Sequence, residues 1–245
     1  MYSRKGLIIF NPNPHIQTIK LANGKPCFVI DNALIDPDFW FEVALEQADD
    51  FTLAGNGKFP AYPGVELHMS DEINEAITQF FLQHIRTKLN ARRLIHAVSR
   101  FSMMSLRSDQ LRPAHCLCHR DLGGPEGSMR AASVLYLFKD ESLGGTSFYV
   151  PKKSEKETAA LVNDSLHMSA QEFEEKYGVE KKYMQGSNAY FEQIGSVPAK
   201  WNRIIFYDGN IHHTADIVDE RKLSKDPSVG RLTMNGFFTC TKRAG

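Results

Sequence analysis

Residues 131–138 read Ala131-Ala132-Ser133-Val134-Leu135-Tyr136-Leu137-Phe138. The run is apolar at odd and even positions alike. A strand with one wet face alternates, whereas a strand apolar on both sides is covered on both. The segment therefore belongs inside a layered β structure. Further strand-like stretches flank it: HAVSRFSMMSL (96–106), GTSFYV (145–150), NRIIFYD (202–208), HHTADIV (212–218) and RLTMNGFFTC (231–240). Upstream, LIIF (7–10) and PCFVID (26–31) read as short strands. Asp36-Pro37 opens a helix through FWFEVALEQADDF (39–51), with proline at its first position. Residues 51–68, rich in glycine, proline and aromatics, read as loop. Ser70 caps a second helix to about Leu89, with Ile73, Ile77, Phe80, Phe81 and Ile85 forming its buried stripe. Between Tyr149 and Trp201 lies an insertion, 152–200, whose middle, SAQEFEEKYG (169–178), is a short capped helix ended by Gly178. The expectation is an α+β fold: a double-stranded β-helix (jelly roll) with N-terminal helices packed on one sheet. Residues 1–245 form one domain in this reading. N-terminal strands and supporting helices run to about residue 94, the core covers about 95–240, and the insertion decorates it.

Composition narrows the function classes. Hydrophobic residues make up 42% of the 245 and charged residues 24%, ordinary for a globular protein. Basic and acidic residues balance at 29 each, so no broad field favours nucleic acid or an anionic membrane. No run approaches the roughly 18 apolar residues of a membrane span. The N-terminus is too short and polar in its apolar stretch for a secretory signal. Cys27, Cys116, Cys118 and Cys240 are too few for a disulfide framework and are expected to be reduced thiols of a cytoplasmic protein. Cys116-Leu117-Cys118-His119 brings soft ligands together, but zinc needs a second pair at suitable spacing and none is evident.

Three segments carry the chemistry. In His119-Arg120-Asp121 the outer residues are two apart, so on an extended chain both point to one face and can aim at one ion. One more ligand would complete a facial triad, which leaves open positions on Fe(II). Alone, this spacing equally suits a loop histidine beside a capping aspartate. The second segment is Ile211-His212-His213-Thr214-Ala215-Asp216, a histidine pair at the start of a late strand. Adjacent strand residues face opposite ways, so at most one of the pair can join the first two. Alternation places His213 inside with Ala215 and Ile217, and His212 on the polar side with Thr214 and Asp216. The third is Gly230 to Phe238, with Arg231, Thr233 and Asn235 on one face and Leu232, Met234 and Phe238 on the other. A guanidinium on the polar face of a core strand asks for a buried anion, which a carboxylate supplies bidentately. His119-Arg120-Asp121-Leu122 also mimics the catalytic loop of protein kinases, but that loop needs an asparagine where Glu126 stands.

Taken in order, an H-x-D pair, a late strand histidine, and an arginine with a hydroxyl two residues on resemble the Fe(II)/2-oxoglutarate oxygenases of the prolyl-hydroxylase-like kind. Leu135-Tyr136-Leu137 and Gly144-Gly145-Thr146 look like a further motif of that family. RFSMMSLRSDQLRPAHCLCHRD, GGTSFY, NRIIFYDGNIHHTADI and GRLTMNGFF are similar to a bacterial subfamily over roughly residues 95–240. The resemblance implies Fe(II) on His119, Asp121 and His213. It also implies 2-oxoglutarate on Arg231 and Thr233, use of dioxygen, and a small-molecule or peptide substrate. It departs from the family in one respect: Ser99 to Leu106 lacks the tyrosine that often helps hold the co-substrate, leaving Ser102 or Thr233 to serve. Two other classes remain open, a cupin-like metal protein that does not turn over 2-oxoglutarate and a non-catalytic binding module on the same fold.

Overall fold

The computed structural model describes residues 10–57, 62–121 and 124–242. In chain order the strands are β1 (Gln17–Lys20), β2 (Pro26–Ile30), β3 (Thr52–Leu53), β4 (Gly64–His68), β5 (Ala91–Met104) and β6 (Ser128–Tyr136). They continue with β7 (Thr146–Pro151), β8 (Phe191–Val197), β9 (Arg203–Asp208), β10 (His212–Ala215) and β11 (Arg231–Lys242). The helices are α1 (Pro37–Glu46), α2 (Asp71–His84), α3 (Glu155–His167) and α4 (Ala170–Tyr177). An eight-stranded sheet runs β1-β2-β9-β6-β11-β5-β4-β3, a three-stranded sheet runs β10-β7-β8, and every pairing is antiparallel.

β6 is covered on both sides, as its composition requires. Ala131 and Leu135 face a core shared with Trp40 of α1 and with Ile77, Phe80 and Phe81 of α2. Ala132 and Tyr136 face a second core, shared with Phe148 of β7 and Val197 of β8, that joins the two sheets. The N-terminal helices thus pack on the outer face of the large sheet, where Phe81 stacks on Phe238 at 4.1 Å. Asp36 caps α1 by accepting from the Phe39 N–H, and Pro37 opens the helix.

Several boundaries differ from the sequence reading. The helix after Ser70 stops at His84, because the chain turns through Ile85–Asn90, with Asn90 at φ 59°, to enter β5. Residues 51–68 contain β3 and β4. Gly64 enters β4 by pairing with Met104, and the site takes only glycine, since a Cβ there would stand 1.9 Å from the Met103 carbonyl oxygen. LIIF (7–10) falls outside the described residues except for Phe10, which bridges to Leu34. The insertion is more than decoration. Ser154 and Ser169 each form a capping box, with Glu157 and Glu172, to start α3 and α4. Gly178 ends α4 in the left-handed region. β8 then becomes the edge of the small sheet. Leu161, Phe173 and Phe191 cover that sheet's outer face together with Tyr149 and Leu117.

Candidate metal centre and anion pocket

His213 pairs with Phe148, so its side chain points between the sheets, and its ring meets Tyr207 edge-on at 4.8 Å. Its Nδ1 lies 2.8 Å from the Ile211 carbonyl oxygen. A carbonyl can only accept, so Nδ1 carries a proton and Nε2 is the nitrogen left to face the other two side chains. The His119 N–H donates to the His213 carbonyl at 3.0 Å, and the His213 N–H donates to the His119 carbonyl at 2.8 Å. A directly opposed antiparallel pair carries both side chains on one face. The two imidazoles accordingly lie 4.5 Å apart. Two residues on, the Asp121 N–H donates to the Gly209 carbonyl at 2.8 Å. That brings Asp121 Oδ2 to 3.5 Å from His213 Nε2 and Oδ1 to 3.9 Å from His119 Nε2. Gly209 makes the approach possible, since a Cβ there would stand 2.9 Å from the Asp121 Cβ.

Three atoms, one from each side chain, lie within 4.8 Å of one another, and no other such His/Cys/Asp/Glu group occurs among the described residues. The donor set fits a cation. Asp121 Oδ2 is buried without a hydrogen-bond partner and lies 3.5 Å from Nε2 of His213, the ring nitrogen not engaged by the Ile211 carbonyl. A cation held there would pair the orphaned oxygen. His119 lines the lip, with 58% of its side chain exposed. Packing on its inner side and the neighbouring His213 lower its pKa, and Asp121 opposes them.

His212 is buried, not wet. The insertion covers the face that alternation assigned to solvent, and Phe191 packs on the His212 ring at 5.2 Å. His212→Ala is expected to leave metal binding intact and lower stability, whereas His213→Ala loses the metal. Metal content of the two purified variants measures this, and the reverse pattern would mean that the strand register is wrong. The cysteines stand apart. All four are buried free thiols, and burial pushes the Cys116 pKa up to about 11, away from the thiolate zinc requires.

The three side chains open on a cavity that is partly open to solvent. Arg231 forms its far wall, only 3% exposed. Its Nε donates to the Gly144 carbonyl at 3.0 Å and its Nη2 to the Gly145 carbonyl at 2.8 Å. The rings of Tyr136 and Phe138 lie 5.9 and 5.6 Å from the guanidinium carbon. No carboxylate among the described residues pairs with it. A nearly buried cation with donors to spare is an anion site. The Gly144-Gly145 pair explains itself here. A Cβ on Gly144 would stand 1.8 Å from the Asp216 oxygen, and one on Gly145 would stand 2.0 Å from the Val197 oxygen. Gly145→Ala is expected to cost about 3 kcal/mol, the upper end of overpacking. An unchanged denaturation midpoint would show that β7 and β8 can separate without loss.

Two further side chains qualify the sequence reading. Thr233 is fully buried on the same strand face, but its hydroxyl donates to the Ser102 carbonyl at 3.2 Å. Its one proton is therefore committed away from the cavity. Tyr62, just before β4, lines the cavity instead, its phenol buried beside Arg231 and Thr233. Burial raises its pKa and the neighbouring Arg231 opposes the rise, so it remains a protonated donor. Nothing in local periodicity marks it, because the tyrosine sits just ahead of β4, inside a stretch that reads as loop.

A family model described as a family of unknown function, DUF6445, matches residues 12–238. No curated protein matches the chain. Among solved structures, the non-haem alpha-ketoglutarate-dependent carbocyclase SnoK from nogalamycin biosynthesis superposes with a TM-score of 0.51 at 13% identity. The match covers 90% of this chain and 80% of that one. A Pseudomonas putida prolyl-4-hydroxylase gives 0.42 at 12% identity, covering 91% of this chain and 95% of that one. HygX from Streptomyces hygroscopicus, solved with nickel, 2-oxoglutarate and hygromycin B, gives 0.45 at 9% identity, covering 92% and 86%. At these identities the likeness to SnoK is one of fold, and the two weaker ones carry no weight for the site. No helix among the described residues is long and apolar enough to cross a membrane.

Proposed function

The chain belongs to the DUF6445 family, whose function is unknown, so its chemistry is read from its own residues, and we propose an Fe(II)- and 2-oxoglutarate-dependent dioxygenase on a double-stranded β-helix. One observation carries the reading. The buried, carboxylate-free guanidinium of Arg231 opens on the same cavity as the His119–Asp121–His213 cluster. A ligand that spans the two must carry an anion at one end and metal-binding oxygens at the other. A short dicarboxylate with a 2-oxo group has both.

In this reading His119, Asp121 and His213 hold Fe(II) through two neutral imidazoles and one carboxylate. With 2-oxoglutarate bound, the metal supplies oxidative decarboxylation: dioxygen is consumed, succinate and carbon dioxide leave, and a substrate C–H becomes C–OH. Arg231 clamps the far carboxylate, oriented by the two glycine carbonyls and shielded from water by Tyr136 and Phe138. Tyr62 takes the place of the tyrosine missing from β5, donating its phenol proton to the same carboxylate. Asp121 is retained as a ligand, which leaves no protein-vacated position for halide and favours hydroxylation.

Calorimetric titration under nitrogen tests the assignment, first with Fe(II) and then with 2-oxoglutarate, followed by succinate release over a substrate panel in air. Metal binding followed by 2-oxoglutarate binding is expected. Metal without 2-oxoglutarate would make the protein cupin-like, and neither would make it a non-catalytic module.

A further inference from the structure

The cavity wall beside the metal cluster carries a polar group that nothing above uses, the phenol of Tyr207. Strand register places it. Tyr207 of β9 lies opposite Cys27 of β2 and Ala132 of β6, so its side chain points into the core between the two sheets. There Phe148 meets its ring edge-on at 5.0 Å, and the His213 ring does the same at 4.8 Å. The ring is held on two sides, and the residue is only 2% exposed. A buried tyrosine usually spends its hydroxyl on a partner. Here the oxygen bonds to no described residue, yet it is not sealed inside the protein, because it keeps contact with the cavity.

Its position decides what it can read. Burial raises its pKa, Asp121 adds to the rise and Arg231 opposes it, so the phenol lies within reach of both ends of the cavity. Its ring contact with His213 sets it on the metal side. Asp121 does not take its proton, since Oδ2 of that carboxylate has no hydrogen-bond partner. A ligand that binds the cluster through oxygens and reaches Arg231 with a second anion lays its metal-binding end against Tyr207. A carboxylate oxygen there keeps lone pairs for another donor, and the bond it accepts is charge-assisted. A methyl group or an ammonium in the same place offers no acceptor.

We propose that Tyr207 is a specificity-determining residue for the co-substrate. Its hydroxyl donates to the carboxylate next to the 2-oxo group, the end that faces the metal cluster, while Arg231 holds the far carboxylate. The cavity then checks both ends of a 2-oxo diacid, with a phenol at one and a guanidinium at the other. This rests on the oxygenase reading, which supplies the ligand.

The test compares 2-oxoglutarate with levulinate, which keeps the oxo group and the far carboxylate but carries a methyl group in place of the other carboxylate. Both are titrated under nitrogen into the full-length protein loaded with Mn(II), 2-oxoglutarate by calorimetry and the weaker levulinate by ligand-observed NMR. Tyr207→Phe keeps the ring against Phe148 and His213, so its Mn(II) affinity should equal that of wild type. Its 2-oxoglutarate affinity should fall at least about tenfold, the value of one charge-assisted hydrogen bond, while its levulinate affinity holds. An equal fall for both ligands would trace the effect to packing and overturn the proposal, as would unchanged 2-oxoglutarate affinity. If levulinate binds too weakly to register, the fall in 2-oxoglutarate affinity at constant Mn(II) affinity decides alone. A wild-type protein whose 2-oxoglutarate binding is weakened by Arg231→Leu and not by Tyr207→Phe overturns this assignment and leaves the oxygenase reading standing. A wild-type protein that binds no 2-oxoglutarate overturns both.

Discussion

Asp121→Ala is expected to abolish metal-dependent stabilisation while making the metal-free protein slightly more stable. The two effects have opposite signs because one atom causes both. In the free protein Asp121 Oδ2 is buried, without a hydrogen-bond partner, and 3.5 Å from His213 Nε2. Removing it lifts a penalty of about 1 kcal/mol. With metal present, the same change deletes the only anionic ligand of the set. Fe(II) affinity should fall at least about 100-fold, since residues that merely orient ligands already cost 10–100-fold. Thermal melts with and without Fe(II) read both terms at once. A variant that melts below wild type without metal and still gains stability on adding it would remove Asp121 from the centre.

Arg231→Leu should weaken 2-oxoglutarate binding by at least about tenfold, from the roughly 1.5–3 kcal/mol of a charge-assisted bond, with Fe(II) affinity nearly unchanged. The arginine also serves the fold, because its Nε and Nη2 satisfy the Gly144 and Gly145 carbonyls. Leucine leaves those buried acceptors bare, so some loss of stability accompanies the loss of affinity. Arg231→Lys separates the two roles: it keeps the charge but not the planar fork. Its 2-oxoglutarate affinity should fall between wild type and leucine. Unchanged affinity in a folded leucine variant would place the anion elsewhere.

What could be read in the sequence followed from local periodicity. β11 shows its two faces directly, with Arg231 and Asn235 turned to the cavity, Thr233 buried between them, and Leu232, Met234 and Phe238 turned to the helices. β6 announces its double burial, and α4 announces itself as a short capped helix stopped by Gly178. What stayed hidden depends on contacts between distant segments. Thr233 looks free beside Arg231 until the Ser102 carbonyl takes its proton. His212 looks wet until α3, α4 and β8 fold over it. The second capping box, Ser154 with Glu157, was there to be read and marks α3. β4 stayed hidden because its glycine serves a close backbone approach, while glycine near proline in sequence signals a turn.

The bridge between His119 and His213 has a thermodynamic consequence. Two of the three clustered side chains sit on a stretch tied to the sheets by three backbone hydrogen bonds, two at His119 and one at Asp121. Ordering such a stretch costs roughly 1–2 kcal/mol per residue, so its opening is a local equilibrium separate from global unfolding. A ligand that binds only the closed form adds about 2.7 kcal/mol to closure at 100 times its Kd. The amides of His119 and Asp121 should therefore act as reporters of metal concentration, their exchange with solvent deuterium slowing about a hundredfold by local closure, while the amides of β6 and β11, which exchange only on global unfolding, slow through the gain in global stability. One strand-like latch would then register loading by a local route, ahead of any unfolding of the scaffold.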